Sequence, residues 1–434
     1  MFAGFGNSSI VKTTSHKVVL PFYLYAAFSF IAATIFLLLS SSEFLSHYFQ
    51  PQILAITHIM ALGWGTMIIL GASHQLVPVL IEGELYSYKL AYASFILSAI
   101  GIPLLIYGFY VFNMGSPAKW GGRMVVLSIL CYLINIGFSI TKSKKENVHA
   151  IFVFTSVLWL FITVALGLAL VYNFTYEFLP QNSIHYLPLH VHTGILGWFL
   201  LLIIGVASRL IPMFLISKYS NPKILWIIFW LVNIALVSFI FFFFYFPIAY
   251  TIISDTLLGI AIILFIYYCF TAYKQRIRKQ VDEQVKLSLF SSVLMLLPVL
   301  LLLIIIILFI NSSVENYQTM VAYGFMIFFG WITAIILGMT FKTLPFIVWN
   351  KIYHKKSGLG KTPNPKDLFS NKIFIIMSIA YLFGFLIFLL GLIFINTILL
   401  KTGAVFLLIT SILYNLNVLK IVYHKPIQHE YKNK

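Results

Sequence analysis

Cysteine and acidic residues are the scarcest features of this chain. Only two cysteines occur in 434 residues, Cys131 and Cys269. They lie in separate apolar stretches, and there is no CxxC or CxxCH, which excludes covalent c-type haem, a thiolate-held iron–sulfur cluster and a disulfide framework. Charged residues make up 9% and apolar residues 61%, whereas soluble domains run to about 25% charged and about 45–50% apolar. With a mean hydropathy of +0.99, the composition excludes a soluble globular protein and leaves a polytopic membrane protein. The 28 Lys+Arg against 11 Asp+Glu give a net charge of +17. Those cations fall in short loops between apolar runs instead of sharing a face, so they imply a lipid bilayer as partner and no nucleic acid.

About 20 apolar residues are needed to cross a bilayer, and the polar breaks leave twelve such segments: 18–40, 52–80, 88–112, 123–141, 148–172, 184–216, 224–246, 248–273, 285–310, 317–349, 373–398 and 401–422. The expected fold is an all-α bundle of twelve transmembrane helices. The basic N-terminal stretch precedes a run of spanning length without a small-residue cleavage site, so it reads as a retained first helix and not a signal peptide. Lys142, Lys144, Lys145 and the stretches 274–286, 351–372 and 420–434 carry most cations, and the other side keeps only Lys119, Arg123 and Lys401. The positive-inside rule then places both termini in the cytoplasm, in a bacterial-type inner membrane.

Three segments share one pattern: THIMALGWGTMIILGASHQLVP (57–78), HVHTGILGWFLLLIIGVASRLIP (190–212) and FMIFFGWITAIILGMTFKTLP (325–345). In each, a Gly-Trp pair is followed by Gly seven and Pro fourteen residues after the Trp. Trp64, Trp198 and Trp331 are 134 and 133 residues apart, so the chain reads as three pseudo-threefold repeats of four helices, 1–146, 147–280 and 281–434. Four helices per unit preserve orientation from one unit to the next, which argues against an inverted-repeat transporter. Gln75, Arg209 and Lys342 share the position eleven residues past the Trp, where they read as side chains snorkelling to the cytoplasmic interface.

Histidines within spans are costly and tend to face the bundle interior with a function. His58 and His192 both lie six residues before their repeat's Trp, so helices 2 and 6 hold them at one depth, in the outer half. Two facing imidazoles can ligate one haem iron; the third repeat has Phe325 there and offers no ligand. His190 is rotated about 200° from His192 on a regular helix and is expected to serve a second haem or metal pocket, with Tyr323 of the third repeat able to lend a hydroxyl. His185, in an outer loop beyond, is a candidate cap for a metal pocket, while His47 reads as solvated. His74 is about 24 Å along the helix from His58 and belongs to the cytoplasmic end, as do His149, His354, His424 and His429.

Twelve helices in three groups of four, a helix 2 histidine near the outer surface and a His-x-His on an equivalent helix resemble subunit I of the haem–copper oxidases and nitric oxide reductases. The resemblance implies a low-spin haem b between His58 and His192, with His190 at the second site and copper as a further cofactor. Several features depart from that family. His-x-His is on helix 6 where the family has it on helix 10, helix 7 has no histidine to bind copper, and no carboxylate lies deep in a span. The chain therefore looks like a diverged, non-oxidase member, nitric-oxide-reductase-like or NnrS-like. On this basis it is expected to act in electron transfer or nitric oxide handling with a redox partner subunit or cytochrome, and not to reduce oxygen to water by itself. Two other readings remain open: a Cu/Zn or small-solute transporter, and a cofactor-free structural or assembly subunit.

Overall fold

The computed structural model of the protein describes residues 14–143, 147–312, 317–354 and 362–426; Lys144, Lys145 and His429 lie outside the described residues. It contains twelve helices long and apolar enough to cross a membrane: α1 His16–Leu39, α2 Pro51–Leu80, α3 Tyr88–Tyr110, α4 Ser116–Ile140, α5 Val148–Tyr176, α6 Leu187–Leu215, α7 Pro222–Tyr245, α8 Ile248–Lys274, α9 Glu283–Asn311, α10 Tyr317–Tyr353, α11 Asn371–Ile393 and α12 Thr397–Val422. No strand occurs among the described residues. Many of these helices start where a short polar side chain can bond first-turn amides. Ser15, Ser87, Asn147, Asn221, Ser370 and Asn396 do so for α1, α3, α5, α7, α11 and α12, which satisfies backbone donors that have no partner inside the helix.

The boundary that differs most from the sequence reading is the start of the fourth helix. Helix α4 begins at Ser116 and not at 123, because Pro117 fits the first helical turn, where its missing N–H costs nothing. Lys119 therefore belongs to the helix and not to a loop. Its ammonium lies 4.4 Å from the Tyr176 ring centroid, and the Arg123 guanidinium lies 4.6 Å from that of Trp120. Cations resting on aromatic faces in this way anchor a helix end at the interface.

Within each group of four the first and second helices pack together, as do the third and fourth. The fourth then leans on the first helix of the next group, and α12 closes the ring against α1. The second helices form the centre: α2, α6 and α10 are 72%, 83% and 78% buried, against 22–44% for the other nine. A helix that is apolar all round needs such a position. The first and last described residues lie on one face, where Thr14 Oγ1 donates to the His74 carbonyl at 2.6 Å and the Tyr353 hydroxyl bonds His424 Nε2 at 2.9 Å. On the same face Lys342 donates to Asp282 at 2.6 Å, with Arg278 at 3.3 Å. Burial pushes the Asp282 carboxyl up, but these cations outweigh it and hold it below the ordinary range.

The threefold relation also holds at the level of single turns. Each central helix widens into a π-helical stretch at one phase: Ile59–Thr66, Thr193–Leu200 and Met326–Ile332. These stretches begin directly after His58, His192 and Phe325. The buried tryptophans inside them reach around the axis. Trp64 Nε1 donates to Thr333 Oγ1 at 3.2 Å and Trp198 Nε1 to Thr66 Oγ1 at 3.1 Å. In both, the acceptor sits two residues past the Trp of the preceding repeat. The third member should reach position 200, but Leu200 has no hydroxyl there, and Trp331 Nε1 is buried without a partner. Removing an acceptor from a buried donor costs about 1–3 kcal/mol, so Thr333→Val should lower stability by that amount. Thermal melting in detergent checks this, and a midpoint equal to the parent's would show that the ring is not energetically significant.

Candidate functional site

At the end of the bundle away from Thr14 and Lys425, the central helices and their neighbours line a cavity of about 920 Å³ that includes His58, His190, His192, Asp255 and Tyr323. That volume lies toward the top of the range of about 300–1,000 Å³ typical of small-molecule and cofactor pockets. Its walls are mostly apolar, including Phe109, Phe199 and Phe243.

All three histidines have the same nitrogen engaged. His58 Nδ1 bonds the Leu54 carbonyl one turn back at 2.8 Å, and His192 Nδ1 bonds the Pro188 carbonyl in the same way at 2.8 Å. His190 Nδ1 bonds the Thr163 carbonyl of α5 at 3.1 Å. A carbonyl only accepts, so each Nδ1 carries the proton and each Nε2 keeps its lone pair. A hydrogen bond of this kind orients an imidazole as a metal ligand.

The structure pairs these rings differently from the expectation. His58 faces His190, not His192: their ring centroids are 6.2 Å apart and their planes 15° from parallel. His192 instead faces Tyr323, also at 6.2 Å and with a 29° interplanar angle, and packs against Phe239 at 4.4 Å. The cause is the cyclic arrangement. Equal positions of repeats related by a threefold rotation point the same way around the ring, as in any head-to-tail contact, and so do not face each other. Across two of the crevices, the residue six before the Trp of one repeat meets the residue eight before the Trp of the next. That rule pairs His58 with His190 and His192 with Tyr323. In the third repeat Phe325 is stacked with Phe388 at 4.4 Å and Phe385 at 5.8 Å, so aromatic rings occupy its place.

The first crevice suits a metal held between two imidazoles. Bonds of about 2.0–2.1 Å from a central ion to two opposed ring nitrogens put the ring centroids about 6 Å apart, which matches the His58–His190 separation.

The remaining candidates are placed as follows. His185 is exposed at the cavity mouth, 5.2 Å from Phe243 and 5.0 Å from Tyr186. His47 rests on Tyr48 and Tyr317. His74 is buried at the other end of α2 between Phe22 and Tyr132. No group of three or more His, Cys, Asp or Glu positioned for one metal occurs among the described residues, so a multi-histidine copper centre is not formed by them. Asp255, which by its place near the outer end of a span reads as lying outside the membrane interior, is buried and lines the cavity.

No protein-family model matches the chain. Among solved structures it is similar to a haem–copper terminal oxidase dimer determined by cryo-electron microscopy. The sequence identity is 10%, the match covers 96% of this chain and 86% of that one, and the TM-score is 0.67. At that identity the likeness concerns the fold, which the two chains share over nearly the whole of this one.

Proposed function

We propose that this chain is a membrane redox protein that holds one b-type haem between His58 and His190 and serves in electron transfer. The observation that carries the reading is the near-parallel pair of imidazoles 6.2 Å apart, each with its Nδ1 proton committed to a carbonyl. With both imidazoles engaged, a haem held there would supply one-electron chemistry, passing electrons and not taking up gases. Nitric oxide handling needs an open position, and the first crevice offers none once both imidazoles are engaged.

The chain's own groups would do three things. His58 and His190 would bind the iron. The Leu54 and Thr163 carbonyls would fix the ring planes and the tautomers. The apolar walls would exclude water and so favour the less charged state of the centre. Cations crowd the face that holds Thr14, among them Lys142, Lys218, Arg276, Lys279, Lys366 and Lys425. This supports an inner-membrane protein with both termini cytoplasmic and the haem crevice toward the outer side. A redox partner subunit or cytochrome would then meet it on that side. The test is the visible spectrum of the full chain purified in detergent. A Soret band that sharpens on reduction, with α and β bands of a bis-histidine centre, is expected; a colourless protein after expression with haem supplied would overturn the reading.

A further inference from the structure

The second crevice repeats the geometry of the first with different chemistry. His192 is oriented by Pro188 as His58 is by Leu54, but the group across from it is the Tyr323 phenol. Two polar atoms here are buried with no hydrogen-bond partner: His192 Nε2 and Asp255 Oδ1. Nearby hydroxyls do not answer for them. Ser254 Oγ is bonded to Ser238, and Thr251 Oγ1 donates to the Ile248 carbonyl. The three groups share one wall of the cavity: the Tyr323 ring faces His192, and Asp255 follows Ser254, which is tied to Ser238 beside the Phe239 ring packed on His192. Among the described residues Asp255 is the one carboxylate buried inside a membrane span.

Unpaired acceptors inside a bilayer are expensive, and a shared cation relieves several of them together. We propose that His192 Nε2, the Asp255 carboxylate and the Tyr323 phenol oxygen bind a single divalent first-row transition-metal ion in this crevice. The occupant is a bare ion and not a second macrocycle, because His192 Nε2 is sealed from the cavity and its ring rests on Phe239 at 4.4 Å. A mixed nitrogen and oxygen donor set without thiolate or thioether suits Zn²⁺, Fe²⁺, Mn²⁺ or Co²⁺ better than Cu⁺. The site uses none of the residues assigned to the haem and does not rest on that reading.

The test is a titration of the full chain in detergent with Co²⁺ alone, followed by visible absorption, with Zn²⁺ as competitor. Metal content is measured alongside haem content. One Co²⁺ per chain is expected, with binding weakened at least tenfold in His192→Ala and in Asp255→Asn and to a smaller extent in Tyr323→Phe. Asp255→Asn keeps the side-chain shape, and an unchanged haem spectrum and gel-filtration profile in the same samples separate loss of the ion from loss of the fold. Absence of stoichiometric Co²⁺ binding in the parent, equal affinity in His192→Ala and Asp255→Asn, or a second haem that disappears with His192 would each overturn the proposal.

Discussion

Alanine in place of His58 or of His190 should remove the six-coordinate low-spin spectrum completely, whereas His192→Ala should leave it in place. The discrimination comes from geometry. His58 and His190 stand 6.2 Å apart with near-parallel rings, while His192 faces Tyr323 across a different crevice. Each ring is fixed by its Nδ1 bond, so neither variant has a neighbouring imidazole that can swing in as a substitute. His192 is held to Pro188 at 2.8 Å on the far side of the same helix turn. Loss of one axial ligand converts a closed site into an open one, so His58→Ala and His190→Ala should also gain carbon monoxide binding in the reduced state. A low-spin spectrum that survives in both variants would refute the assignment. One lost only in His58→Ala and His192→Ala would restore the pairing expected from equal repeat positions.

That contrast shows which parts of the molecule could be read from residues alone. Twelve spans follow from hydropathy and length, and all twelve are present. The Gly-Trp frames marked α2, α6 and α10 as equivalent, and these are the buried central helices. The depth of the histidines also follows from spacing along a helix. Their partners do not, because a facing relation depends on how helices are arranged around an axis, and a repeat gives equivalence without giving the rotation. Treating His58 and His192 as opposed assumes twofold packing, whereas a threefold ring sets His58 against His190. A local signal of that ring was present. Threonine follows the Trp by two residues in GWGT and GWIT but not in GWFL, and these are the acceptors found for Trp198 and Trp64. Asp255, which the sequence puts near an outer helix end, is buried for another reason. Nearness to a helix end reads as exposure in a one-dimensional sequence, yet a neighbouring helix can cover that end.

The second large effect is expected at a residue that carries no side chain. Gly167 on α5 lies one turn beyond Thr163, the residue whose carbonyl holds His190. A Cβ at 167 would stand 2.7 Å from His190 Cε1 and 3.2 Å from Nδ1, closer than side-chain atoms approach without one of them moving. The ring cannot yield easily, because moving it lengthens the 3.1 Å bond to the Thr163 carbonyl and tilts it away from His58. Gly167→Val, with three carbons in the space of the imidazole edge, should therefore eliminate most of the low-spin haem, and Gly167→Ala should lower haem occupancy to a smaller extent. Gly324 provides the comparison. It also lines the cavity, but nothing stands within 4 Å of the position its Cβ would take. Gly324→Ala should keep the parent spectrum and gain about 0.5–1 kcal/mol of stability, the usual difference between glycine and alanine inside a helix. Haem content per chain, measured for all three variants after purification in one detergent, is the deciding quantity. If Gly167→Val binds haem as the parent does, His190 is not the ligand held against α5, and the crevice between α2 and α6 loses its second donor.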